Sequence, residues 1–468
     1  MSNNQMENRE MKKNWRNIYI LGIASFFNDF SSEMIYPLIP VFIKSVLGVG
    51  VYFIGIIEGI AETTSSLLKL FSGYYSDRFK KRKIFVVCGY AFSNLTRPLI
   101  GIANSWGFLL GLRFSDRVGK GVRTSPRDAI IGESAPDNRR GFAFGFHRAM
   151  DNLGAVAGSL VASLLLYMFL MDIRKVFLLS VIPGIIAVLL IIFGVREVRK
   201  KDELKGGEQI AAAETEKAIS EKLNTADSDS KNAGKQAESI NTAETGFLSK
   251  EDGNSCTITS QAKAETANKS LTPAFHFRDL KKLGGKFGYY LSILVIFALG
   301  NSTDAFLLLR ASDLGIRIAF IPLLWAVHNV SKAAFSFFGG HLSDKLGRKP
   351  MIIIGWVVYA LTYLGFAFAD KPYMIWALFV FYGLFFGFTE GVEKALVCDM
   401  VPKDKLGSAY GFYNLAIGIS ALPASLIFGF IWTKVSSMAA FMTGAGIAAA
   451  AILMLLFLKQ GNRIKETK

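Results

Sequence analysis

Apolar residues in this chain come in runs of about 20, each long enough to cross a hydrocarbon core, with short polar segments between most of them. They fall near 17–43, 52–72, 84–104, 107–131, 141–169, 176–195, 286–308, 318–338, 351–369, 372–398, 407–432 and 437–458. Backbone polar groups inside lipid must be satisfied within their own segment, so runs of this length predict twelve helices; barrel strands would be about half as long and would alternate in polarity. Basic residues precede the first run, as in a secretory leader. That run continues past Phe42, too long for a leader, and reads as the first span.

The longest polar stretch, residues 196–285, is rich in Ala, Glu, Lys, Ser, Thr and Asn and has Phe247, Phe275 and Phe277 as its only aromatics. It cannot bury a core and is expected to be a solvated, largely disordered linker, a binding tail being the other reading. The chain divides accordingly into a tail (1–16), a six-helix bundle (17–195), the linker (196–285), a second six-helix bundle (286–458) and a second tail (459–468). Lys and Arg concentrate at the two tails and in loops 2–3, 4–5, 8–9 and 10–11, which predicts that both termini and the linker face the cytoplasm.

Over 468 residues the chain is 51% apolar and 19% charged, with a formal charge of +16. This excludes a disordered protein and a disulfide scaffold. The linker holds 15 basic and 15 acidic residues, so the positive excess flanks the spans and calls for no nucleic acid. Cys88, Cys256 and Cys398 make neither a disulfide framework nor a paired metal motif. With no P-loop, no GxSxG elbow and no His-rich cluster, the reading is a non-enzyme without cofactor or metal, unable to pump by hydrolysing ATP itself. Its expected partners are a lipid bilayer, a small-molecule substrate and a coupling ion, with the protein acting as a monomer in the cell membrane.

Two segments repeat. GYYSDRFKKRK, from Gly73 through Asp77 and Arg78 to Lys83, returns as GHLSDKLGRK, from Gly340 through Asp344, Lys345 and Gly347 to Arg348 and Lys349, 267 positions later. GFAFGF from Gly141 returns as GSAYGF from Gly407, 266 positions later. Two pairs in register imply a parallel duplication of six helices. A carboxylate at the end of span 2 or 8 suits the positive N-terminal end of another helix, so Asp77 is expected near Gly407 and Asp344 near Gly141, as a cytoplasmic latch between halves. Asp128 is expected to anchor Arg78 or Arg82 there. A plain cytoplasmic loop explains the charges but not the repeated Gly-to-Asp spacing.

These strings resemble the signature loop of the major facilitator superfamily, and DFSSEMIYPLIP from Asp29 and DRVGKGVRTSPRDA from Asp116 resemble a prokaryotic subgroup without a settled substrate. The resemblance implies an all-α membrane fold of two pseudo-symmetric six-helix bundles and transport as the mechanism class, not a cargo. Lys80 stands where the family usually has Gly, whereas the second copy keeps Gly347.

The spans carry ten acidic and ten basic residues, too many to face lipid, so they must pair around a wet cavity. Arg113, Asp116, Arg117, Lys120, Arg123, Arg127 and Asp128 share an arc of about 140° on span 4. Asp29 and Glu33 share a face of span 1. Matching depths, each roughly 15 to 18 Å into its helix for Asp29 and Arg117, predict the pairs Asp29–Arg117 and Glu33–Arg113. Asp304 on span 7 and Glu390 and Glu393 on span 10 occupy the duplicated helices and are expected on the facing wall.

A carboxylate held by one cation can exchange that partner for a proton, which predicts a proton pathway; a static bridge that orients helices is the alternative. The superfamily resemblance adds Arg117 to Gly121 as an RxxxG motif of proton-coupled exporters, with Lys120 for the usual Gln. Gly145, Gly154 and Gly158 follow the antiport motif, with Ser159 for its Pro. The overall expectation is a secondary transporter of a small polar solute, anions included, coupled to protons and exporting. A multidrug/proton antiporter is the near alternative and a non-transporting membrane sensor the distant one.

Overall fold

The protein is described from a computed structural model, covering residues 3–79, 82–135, 139–197, 283–401 and 406–458. All of these belong to one compact unit. Residues 198–282, most of the expected linker, lie outside the described residues.

Twelve helical spans form among the described residues, with no strand. They are α1 (Asn3–Ile35, continued by short turns to Val46), α2 (Val51–Phe79), α3 (Arg82–Ile102), α4 (Trp106–Ser134), α5 (Arg140–Met168), α6 (Ile173–Gly194), α7 (Gly285–Asp313), α8 (Ile321–Leu346), α9 (Arg348–Phe368), α10 (Pro372–Met400), α11 (Leu406–Lys434) and α12 (Ser437–Leu456). Ten are apolar and long enough to cross a membrane by composition; α1 and α4, which carry the acidic pair and the charged stripe, are the other two.

Three boundaries differ from expectation. The first helix begins at Asn3, well inside the segment expected to be a tail. The start of the expected linker is tied to the bundle: Arg196 N donates to Asn17 Oδ1 and Asn17 Nδ2 donates to Arg196 O, both at 3.0 Å, and the Glu197 carboxylate accepts from the backbone N–H groups of Arg82 and Lys83 at 2.8 and 2.9 Å. Span 7 is interrupted: Gly285–Gly300 and Ala305–Asp313 are joined by Asn301–Asp304, a non-helical stretch of polar residues. Broken helices at membrane depth are tolerated where they line a cavity.

α2 lies along α11, and α5 along α8, so each half lends equivalent helices to the contact between them. Thr63 Oγ1 donates to Gly418 O at 2.8 Å in the first contact, and Ser163 Oγ to Ala319 O at 2.6 Å in the second. At the end of the bundle bearing the α1–α2 and α7–α8 loops, Lys44 pairs with Asp313 at 2.5 Å. There too, arginines cap helix ends whose last carbonyls lack intrahelical partners. Arg174 Nη1 donates to Gly101 O in the last turn of α3 and to Ala103 O just past it, and Arg310 Nη2 to Ala369 O beyond α9, at 2.8 to 2.9 Å.

Candidate functional site

A cavity of about 520 Å³ lies between the halves, lined by α1, α2, α3, α4 and α5 on one side and by the α7 break, α8, α10 and α11 on the other. Of the expected pathway residues, Asp29, Glu33, Arg113, Asp116, Arg117, Lys120 and Asp304 line it. Glu390 and Glu393 do not.

The charges pair, but with partners other than those expected. Arg113 holds Glu58 through two bonds, Nε to Oε1 at 2.9 Å and Nη2 to Oε2 at 2.7 Å, with both side chains almost fully buried. Arg117 pairs with Glu62 at 3.0 Å. Asp116 accepts from Arg97 Nε at 2.8 Å and lies 3.5 Å from Arg113 Nη1. Arg97 is itself tied to α1 through Asn28 O and Oδ1.

The partner helix is therefore α2 rather than α1, because α4 runs beside α2 for much of its length and touches α1 far less. Glu58 and Glu62 have the same four-residue spacing as Asp29 and Glu33. A constant offset of 55 positions for both pairs fits two helices running in the same direction.

Asp29 and Glu33 instead meet neutral donors. Asp29 Oδ1 accepts from Asn28 Nδ2 at 2.8 Å, and Glu33 Oε2 from the indole N–H of Trp325 at 2.7 Å, a bond that crosses from α1 in the first half to α8 in the second. Among the described residues neither makes an ion pair. Lys69 and Lys120, both facing the cavity, make none with the described residues either. Arg123 lies over the Tyr90 ring and donates to Ser93 Oγ at 3.1 Å.

In the second half, Asp304 sits at the α7 break and accepts from the Tyr382 hydroxyl at 2.5 Å. Glu390 is an inter-half residue, pairing with Arg148 of α5 and with Lys332 at 3.0 Å. Glu393 is packed inside its own half, accepting from Trp356 Nε1 at 3.0 Å and Tyr413 OH at 2.8 Å. At 100° per residue Glu390 and Glu393 stand only about 60° apart around α10, so spacing alone puts both on one face; the Trp356 and Tyr413 donors that hold Glu393 within its own half are distant in sequence and leave no mark in that spacing.

Of the expected gate, the side chains of Asp77, Arg78 and Asp344, like residues 402–405, lie outside the described residues. Gly73 lies on α2 against Ser125 of α4, and Gly340 lies within α8. Asp128 pairs with its neighbour Arg127 at 2.9 Å, while Arg82 pairs with Glu133. Lys345 is exposed. Arg348 donates to Ser343 Oγ at 2.6 Å and lies 3.7 Å from Asp399, tying the α8–α9 turn to the end of α10. Gly347 turns there with φ +95°, a conformation that favours glycine, which accounts for its place in the repeat.

Gly154 and Gly158 let α5 approach the α1 backbone at Phe26 and Phe30 so closely that a Cβ would collide with a carbonyl oxygen. Gly145 has open space around it.

The Major Facilitator Superfamily profile matches residues 21–309 and 288–468. This chain belongs to the major facilitator superfamily. An uncharacterised MFS-type transporter of Methanocaldococcus jannaschii is 32% identical over 465 residues, 98% of each chain. The multi-drug resistance efflux pump PmrA of Streptococcus pneumoniae is 34% identical over 160 residues, 33% of this chain and 40% of the pump. Among solved structures, that of a mutant form of the nucleoside transporter NupG superposes with a TM-score of 0.67 at 12% identity, covering 95% of this chain and all of that one. This superfamily chain is thus a multi-pass membrane protein and a transporter of the MFS type, and its cavity is where the two six-helix halves meet.

Proposed function

We propose that the protein is a proton-coupled secondary transporter that exports a small polar solute across the cell membrane by alternating access, as a monomer with both termini in the cytoplasm. The cavity between the halves supports this reading most: it is of a size that suits a small molecule and is lined by ionisable groups from both halves. Asp29 and Glu33 are the proton carriers in this reading. Among the described residues their carboxylates meet only neutral donors, so taking up a proton breaks no ion pair there. Glu33 also joins the halves through Trp325, so protonation there would weaken a bond that spans them. The residues around Glu390, Arg148 and Lys332 act as a gate on the side of the α4–α5 and α10–α11 loops.

Multidrug/proton antiport is the second reading, favoured by the likeness to PmrA and by Tyr36, Trp325 and Phe386 in the lining. The number of charged lining residues favours a polar cargo.

The test is flux in proteoliposomes under an imposed pH gradient, with and without a protonophore, for the parent and for Asp29→Asn. Gradient-driven flux is expected to vanish in the variant while solute exchange persists. Concentrative transport by Asp29→Asn at the parent rate would remove the proton role, and a gradient without effect on the parent would remove coupling.

A further inference from the structure

The two walls of the cavity differ in charge. Among its described lining residues the first half supplies eight basic and five acidic side chains, whereas the second half supplies a single charge, Asp304. Most first-half cations are occupied by Glu58, Glu62, Asp116, Asp128 or Glu390. Three have no acidic partner among the described residues: Arg123, which lies over the Tyr90 ring and donates to Ser93 Oγ, and Lys69 and Lys120, which face the cavity from α2 and α4.

Opposite them, Asp304 is fixed by the α7 break and by the Tyr382 hydroxyl on Oδ1; its Oδ2 has no hydrogen-bond partner among the described residues. No ion pair among the described residues joins Asp304 to either lysine. Unpaired charges of opposite sign, held on separate bodies around a cavity, suit a molecule that carries both signs itself.

We propose that the cargo is a zwitterion, with its carboxylate or phosphate held by Lys120 and Lys69 and its ammonium by Asp304. The inference rests on the transport reading above and sharpens it. A cargo carrying only negative charge leaves Asp304 without a cation, and one carrying only positive charge leaves the lysines without an anion. A zwitterion satisfies both and links the halves through its own length. Asp29 and Glu33 remain available for protons, so cargo and coupling ion use separate carboxylates.

The experiment loads proteoliposomes of the full chain, under a pH gradient, with two probes. One is a small-molecule extract of the host cells; the other is a mixture of amino acids and dipeptides with their N-acetylated (anionic) and C-amidated (cationic) derivatives. Retained compounds are identified by mass spectrometry against empty liposomes. Retention of compounds bearing both an amine and an acid is expected, with their blocked derivatives reduced about tenfold or more, the scale of one charged hydrogen bond.

Asp304→Asn should shift preference from the free amine toward the N-acetylated form by a similar factor. This is a ratio within one preparation and is insensitive to folding yield. Lys120→Gln should lose zwitterions and N-acetylated anions together. Retention of anions or lipophilic cations alone, or an unchanged ratio in Asp304→Asn, overturns the zwitterion and leaves transport standing. Retention of nothing above empty liposomes overturns transport and the inference with it.

Discussion

Replacing Glu58 by Gln removes the acid that holds Arg113 in a nearly water-free site, Arg113 being 4% exposed and Glu58 0%. Stranding one partner of a buried pair costs about 3–5 kcal/mol. Two contacts soften the loss: Asp116 remains 3.5 Å from Arg113, and the new amide oxygen can accept one of the two bonds. Asp116 is already engaged by Arg97 at 2.8 Å, so it compensates only in part. The expected cost is therefore about 3 kcal/mol, the lower end of that range.

Replacing both partners, Glu58→Met with Arg113→Met, removes both charges and should recover at least about half of it. Thermal and denaturant unfolding of the purified parent, both single variants and the double variant gives the coupling. A single variant as stable as the parent, or a double variant that loses the sum of the singles, would refute a desolvated pair.

Two further outcomes follow from other contacts. Glu390→Gln should change overall stability by less than about 1 kcal/mol, because Arg148 is 54% exposed and water screens the pair. It should nonetheless broaden the distance distribution between spin labels on α5 and α10, and an unchanged distribution would show that this cluster does not hold the halves. Gly154→Val should lower stability by about 1–3 kcal/mol, since its side chain must push α5 away from the Phe26 backbone. A melting temperature equal to the parent's would mean that α1 and α5 leave room for a side chain between Gly154 and the Phe26 carbonyl.

The helical plan is legible because lipid leaves a chain few options: a run of apolar residues must be a helix, and its length sets the span. Even α1 and α4, too charged to count among the ten spans that composition picks out, still hold the runs near 17–43 and 107–131 that mark them in the sequence. The α7 break is not legible, since Asn301–Asp304 adds only four polar residues to an apolar run. The charged stripe on α4 is legible from its period. Its partners are not, because depth and spacing fit two acidic pairs equally well, Asp29 with Glu33 and Glu58 with Glu62. Only the lateral placement of α2 beside α4 separates them, and one helix's sequence carries no record of which neighbour lies alongside. The Trp325–Glu33 bond lies beyond reach for the same reason, as it joins residues 292 positions apart.

The two rungs between α2 and α4 also determine what can slide. A shift of one residue along the axis, about 1.5 Å, would misalign both rungs at once. The pair of helices thus behaves as a stiff plank that carries its lysines with it, and a rocking cycle would change the reach across the cavity more than the spacing of charge along one side. A cross-link joining α2 to α4 should then be harmless to turnover, whereas one that fastens α1 to α8 beside the indole should stall it.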